Sequence, residues 1–217
     1  MSLIDDKWRI LFDKYRIERE IEKHGRFYIT ADQIREVKEP RLMTKFDTRE
    51  SLPRVFGKKI SILPVSRGGY VLGEFDLYQD FPEIPSDIKR VTSAKIPDYF
   101  ESIDLHHIRS EASAINVMSI TGILDDFLGE DRMVQTVSGR MGSGNFEFYV
   151  SDYQKSEPIE KKPLIQVQNS QVEIDGGFEN ENVFTLIEGK NVVHSNFLIR
   201  QLYYPARLWA EKIHKPI

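Results

Sequence analysis

The stretch VEIDGGFENENVFTLIEGK, residues 172–190, decides how this chain is read. It opens on a β-like run that ends at Asp175. It passes through Gly176-Gly177 and the polar Glu179-Asn180-Glu181-Asn182, then continues as a short apolar strand, Val183 to Ile187. That strand ends in Glu188-Gly189-Lys190. In an extended strand, residues i and i+2 face the same side, so Glu188 and Lys190 are expected to project together. If the two strands lie side by side in one sheet, Asp175 and Glu188 converge.

Context carries this reading, because the triplet alone does not. With 34 acids and 15 lysines in 217 residues, chance gives about two acid-x-Lys triplets. Five occur, starting at Asp5, Glu36, Asp87, Glu160 and Glu188, and only the last closes an apolar strand. Two convergent carboxylates form an oxygen-rich site suited to a hard cation such as Mg²⁺. Such a cation lowers the pKa of bound water and offsets charge on a phosphodiester. A neighbouring lysine can orient that water or stabilise the transition state. Burying charge is costly unless it is paired, which favours a purpose for these residues. The competing reading is a surface ion pair at a strand end.

Outward from this stretch, Asn196 to Lys212 reads as a final helix, kinked or broken at Pro205. Upstream, residues 109–129 read as one helix, with Val117, Ile120, Leu124, Phe127 and Leu128 forming its apolar face. Met133 to Val137 and Phe146 to Val150 read as strands, with Arg140 to Asn145 as the turn between them. Pro163 to Val167 adds another strand. The order of helix, strands and helix is that of an α/β sandwich.

Near the N-terminus, residues 3–24 carry apolar residues at helical spacing, with a break after Tyr15 and a stop at Gly25. Arg26 to Ile29 is β-like, and Thr30 is the expected N-cap of a helix through Arg35. This order opens many winged-helix units, and a generic helical subdomain shares the same signals. Lys45, Arg49, Arg54, Lys58 and Lys59 come next, interspersed with Phe46 and Phe56. Ile60 to Val65 and Tyr70 to Phe75 read as strands joined by a hairpin turn at Arg67-Gly68-Gly69. The Pro-marked stretch Phe81 to Pro85 suggests a boundary, giving an N-terminal DNA-binding domain over 1–85 and a catalytic core over 86–217.

Net charge is -4. Residues 1–60 hold 15 Lys+Arg against 11 Asp+Glu, and the remainder holds 15 against 23. The basic start suits phosphates, and the acidic remainder suits a cation site. With no cysteine there is neither a disulfide nor a thiolate metal site. No apolar run approaches a bilayer span and no secretory signal opens the chain, so a soluble cytoplasmic protein is expected.

Taken together, Val172 to Glu179, Phe184 to Lys190 and Phe197 to Tyr204 resemble the PD-(D/E)XK nuclease superfamily, and more narrowly the type II restriction endonucleases. The likeness covers roughly residues 105–212. It implies an α/β, restriction-endonuclease-like core, a mixed sheet flanked by helices, behind an N-terminal α+β, winged-helix-like domain. It implies Mg²⁺ held by Asp175 and Glu188, with Lys190 assisting the attacking water. Glu111, in Ser110-Glu111-Ala112, and Gln201, on the following helix, match the family's supporting positions. The substrate would be double-stranded DNA, gripped through Lys45, Arg54, Arg67 and Arg200, and a homodimer would cut both strands. Two departures stand out. Ile174 replaces the proline expected before the aspartate. A further strand is expected after the glutamine helix, and the sequence stops at Ile217, so the core is expected to lack an outer strand. The alternatives are a repair or junction nuclease of the same superfamily, and a non-catalytic or decayed DNA-binding protein.

Weaker signals have bland readings. His106-His107 point in two directions and read as loop surface. Gly139 to Gly144 lacks the Gly-Lys-Ser/Thr of a phosphate-binding loop and reads as a hairpin turn. Trp8 and Trp209 read as packing residues.

Overall fold

The computed structural model describes residues 3–83, 93–153, 158 and 162–217. The expected boundary at Ile84-Pro85, and the triplets at Asp87 and Glu160, lie outside the described residues. In chain order the first elements are α1 (Leu3–Tyr15), α2 (Ile17–His24), β1 (Arg26–Thr30), α3 (Ala31–Arg35), α4 (Pro40–Met43), β2 (Ser61–Ser66), β3 (Gly69–Gly73) and β4 (Tyr78–Asp80). Next come α5 (Glu111–Ile120), α6 (Ile123–Leu128), β5 (Val134–Gly142), β6 (Asn145–Tyr149) and β7 (Leu164–Gln168). The last are β8 (Gln171–Glu179), β9 (Phe184–Ile187), β10 (Asn196–Leu198) and α7 (Arg200–Ala210). The fold is mixed α/β.

The chain forms two compact units. One comprises Met1–Phe81, Gly142–Gln171 and His194–Arg200; the other comprises Pro82–Met141, Val172–Val193 and Gln201–Ile217. The first unit holds a five-stranded sheet in the order β1-β3-β2-β7-β6. It is a mixed sheet, because β2 meets β7 in parallel while the other pairs run antiparallel. The β2–β3 hairpin turns at Arg67-Gly68, as its glycines suggest, and Gly68 takes the positive φ the turn needs. β10 pairs antiparallel with β4 in a two-stranded ribbon.

The core of this unit gathers Trp8, Leu11, Phe12, Ile17, Ile21, Ile29, Ile34, Met43, Phe56 and Leu72, among others. Trp8 stacks edge-on against Phe56 at 5.0 Å and donates its indole N–H to the Met43 carbonyl. Thr30 caps α3 reciprocally: its hydroxyl accepts from Gln33 N, and the Gln33 side chain accepts from Thr30 N.

The second unit holds the three-stranded sheet β5-β8-β9. Its core is smaller, with Ile115, Leu124, Met133 and Phe178 in one cluster and Phe184, Tyr204 and Leu208 buried as well. Because side chains alternate across a strand, Phe178 and Ile187 face Ile115 of α5, whereas Phe184 faces Trp209 of α7 at 5.1 Å. α5 and α7 therefore cover opposite faces of β8–β9.

The first helix divides at Arg16, which sits in the left-handed region at φ 52, where the break after Tyr15 is expected. Several other readings change. The helix expected over 109–129 divides at Thr121-Gly122, where Gly122 adopts φ 73 and the Thr121 hydroxyl bonds back to the Val117 carbonyl. The break rotates the downstream helix, so Phe127, expected on the apolar face, is 75% exposed. The Gly139–Gly144 segment is not a hairpin turn. β5 runs through Gly142 and joins β8, while β6 joins β7 in the other sheet. Asn196–Leu198 pairs as β10 instead of starting the last helix, and α7 continues through Pro205. β8 extends to Glu179, so Gly176-Gly177 are paired strand residues and Asp175 lies within the strand, not at its end.

Candidate functional site

The antiparallel register of β8 and β9 places Gly176 opposite Ile187. The next rung, beyond β9, sets Asp175 across from Glu188. The backbone N–H of Gly189 donates to Asp175 Oδ2 at 2.8 Å, tying the two strands together there. Alternation puts Asp175, Glu188 and Lys190 on the α7 face. Contacts agree, since Gln201 on α7 donates from Nε2 to Glu188 Oε1. Lys190 Nζ donates to the same oxygen and pairs with it. Gln201 reaches inward because Tyr204, Pro205 and Leu208, at helical spacing from it, are the buried stripe of α7.

Glu111 arrives from the other face, in the first turn of α5, which Ser110 caps through its hydroxyl. A Cβ on Gly189 would lie 3.0 Å from the Glu111 Cβ and 3.6 Å from Ile115 Cδ1. The missing side chain is therefore what lets α5 approach. Beyond it, the Asn191 N–H donates to Glu111 Oε1 at 3.2 Å, and the Asn191 amide donates to the Arg109 carbonyl at 3.4 Å. Gln135 on β5 donates to the Asp175 carbonyl at 3.4 Å. Gly189, Asn191 and Gln135 were missed in the sequence. Only the glycine left a signal, since a glycine in a strand run marks a close approach.

Burial is the largest influence on Glu188, whose side chain is 13% exposed. It pushes the carboxyl pKa up; Lys190 pulls it back, and the charges of Asp175 and Glu111 raise it further. The net direction is upward. Lys190 thus offsets the cost of burying this carboxylate only in part.

A cation is one remedy. Among the described residues, the bonds to Glu188 converge on Oε1 and the side-chain bond to Asp175 falls on Oδ2. That leaves lone pairs on Glu188 Oε2 and Asp175 Oδ1, a donor set that fits a hard divalent ion completing its shell with water. No group of three or more His, Asp or Glu side chains is gathered tightly enough to hold a metal among the described residues. The donor set is therefore a carboxylate pair with Glu111 at its margin.

The cationic candidates belong to the first unit. Lys45 is exposed, 3.8 Å from Asp47. Arg54 is exposed, and its backbone N–H caps onto Asp5 at 2.7 Å. Arg67 stands exposed at the hairpin tip. Arg200 is half-buried, and its charge bears on Tyr78, whose hydroxyl is pushed up by burial and donates to the Phe46 carbonyl. His107 bonds Asp104 at 2.7 Å on an exposed loop. Trp8 is fully buried, whereas Trp209 packs partly buried against Phe184.

Comparison with known proteins adds a family. Residues 73–217 match the model described as "Domain of unknown function (DUF6997)", and residues 5–72 match "Domain of unknown function (DUF6996)". The chain belongs to the DUF6997 family. The two matches meet at the end of β3, so the DUF6997 match holds every residue of the acidic site and the DUF6996 match holds the helices and hairpin of the first unit. No curated protein and no solved structure matches the chain. No helix among the described residues is long and apolar enough to cross a membrane.

Proposed function

We propose that this chain is a Mg²⁺-dependent endonuclease that hydrolyses DNA phosphodiester bonds, of restriction type, with a core of PD-(D/E)XK kind. The observation that carries the reading is the β8–β9 register, which sets Asp175 against Glu188 with Lys190 on the same face. Asp175 and Glu188 would hold the ion, which when bound supplies an acidified water and offsets charge on the phosphate. Gln201 fixes the Glu188 carboxylate from α7. Lys190 is held beside the pair by Glu188, where its ammonium can orient the attacking water or meet the phosphate oxygens. Glu111, steadied by Asn191 N–H, adds negative potential that favours a cation over an unpaired carboxylate.

The first unit supports a DNA substrate. The order helix, strand, helices and hairpin, with strands arranged β1-β3-β2, is that of a winged helix, with Arg67 at the wing. Lys45 and Arg54 add phosphate-binding charge, and two copies would serve both strands.

The test is incubation of supercoiled plasmid, flap and four-way-junction DNA with the chain in Mg²⁺ and in EDTA. Discrete plasmid fragments support the restriction reading. Selective cutting of flaps or junctions moves the chain to repair. Metal-independent binding without cutting leaves a non-catalytic DNA-binding protein, a reading that the Lys190–Glu188 pair also accommodates, because the lysine already neutralises one carboxylate.

A further inference from the structure

Next to the acidic site the chain exposes apolar surface that its own fold does not use. Val192 is 60% exposed and Val193 88% exposed. They lie two and three residues beyond Lys190. The loop is pinned at its start, because Asn191 bonds Glu111 through its N–H and the Arg109 carbonyl through its amide. Arg109 therefore abuts this loop, and it is exposed; its neighbour Ile108 is 41% exposed. Single exposed apolar residues are ordinary. Here a β-branched pair and an isoleucine flank an arginine on two segments that are bonded to each other.

The chemistry of this edge narrows its partner. The surface that covers it must offer apolar area and negative charge within a few ångströms. Duplex DNA does so at the minor groove, where sugar edges and base steps lie between the phosphates. Apolar side chains insert at minor-groove base steps, and arginine favours the groove's negative potential.

We propose that Val192 and Val193, with Arg109, form a wedge that seats in the minor groove of duplex DNA beside the phosphodiester acted on by Asp175, Glu188 and Lys190. The inference rests on the nuclease reading and adds to it the groove and the residues that meet it. It also selects duplex over small phosphate esters as substrate.

The experiment measures affinity of the full chain for a mixed-sequence 30-bp duplex, with Ca²⁺ in place of Mg²⁺, across a range of salt concentrations. The double variant Val192→Ser, Val193→Ser is expected to bind about tenfold more weakly at every salt concentration, because apolar contact is lost and no charge is. Arg109→Ala is expected to flatten the slope of log affinity against log salt by about one contact. Netropsin, which fills the minor groove, should compete with the wild-type chain. Unchanged unfolding midpoints in both variants show that the losses are local. Duplex affinity unaltered by the serine pair, or serine variants that change only self-association in sedimentation, would overturn the wedge while plasmid cleavage by the wild type leaves the nuclease reading standing. A wild-type chain that neither binds duplex nor cleaves plasmid removes both.

Discussion

The two compact units solve folding differently. The first buries a large aromatic and aliphatic core around Trp8, Phe12 and Phe56. The second buries fewer apolar residues, with Ile115, Leu124, Met133 and Phe178 in one cluster and Phe184, Tyr204 and Leu208 beside it, and it also encloses a carboxylate whose pKa is driven up. Apolar burial stabilises by roughly 25 cal/mol per Å², whereas an under-compensated buried charge costs stability. On the proposed reading, the contrast sets the larger core in one unit and the candidate site in the other, as expected where function sets aside local stability.

The largest stability effect should fall in the first core. Trp8→Ala removes a fully buried ring and orphans the Met43 carbonyl, and is expected to cost about 3–5 kcal/mol. Ile115→Ala, in the smaller core, should cost about 2 kcal/mol. Urea unfolding of both variants checks the pair, and equal losses would erase the contrast.

Gly189→Ala comes next. Its Cβ would meet the Glu111 Cβ at 3.0 Å, so α5 must shift, at an expected cost of about 1–3 kcal/mol. Because the shift displaces Glu111, Mg²⁺ should also protect this variant against heat less than it protects the wild type. A fully retained Mg²⁺ response would show that the glycine is not needed for the close approach.

Glu188→Gln should act in the opposite direction in metal-free protein. The folded state holds the Glu188 proton more tightly than the unfolded state does. That advantage is full below the ordinary carboxylate pKa and fades as pH rises through the raised value. At neutral pH the charge is a burden, so the glutamine variant should unfold at higher urea than the wild type. Its stability should also fall less between mildly acidic and neutral pH. A destabilised variant at pH 7 would mean that the Lys190 pairing outweighs burial. For the wild type, Mg²⁺ binding should strengthen as pH rises through the same window, since the ion needs the ionised carboxylate.

The smallest effect belongs to Thr30→Ala, where loss of the α3 cap should cost about 1 kcal/mol.

The sequence showed much of this through local chemistry. The Thr30 cap, the Arg67-Gly68 turn and the Glu188/Lys190 alternation each depend on neighbours within a few positions, and each can be read without tertiary knowledge. The division of strands was not legible. β7 alternates as the start of β8 does, and nothing local says that β6 and β7 join the N-terminal hairpin while β8 joins β5 and β9. Gly176-Gly177 read as a connection because glycine is a poor strand residue. Yet Gly177 lies in β8 where a Cβ would sit 2.9 Å from Val137, so its place is set by packing. The same holds for Gly189, whose value depends on a helix that begins 78 residues earlier at Glu111.

The central claim is that Asp175, Glu188 and Lys190 form one hydrolytic site, and the most direct measurement is plasmid cleavage in Mg²⁺ by the wild-type chain and by Lys190→Ala from matched preparations. Mg²⁺-dependent cutting is expected of the wild type, with a loss of about 10²-fold or more in the variant and an unchanged circular-dichroism spectrum at the assay temperature. Equal cutting by both proteins would contradict it.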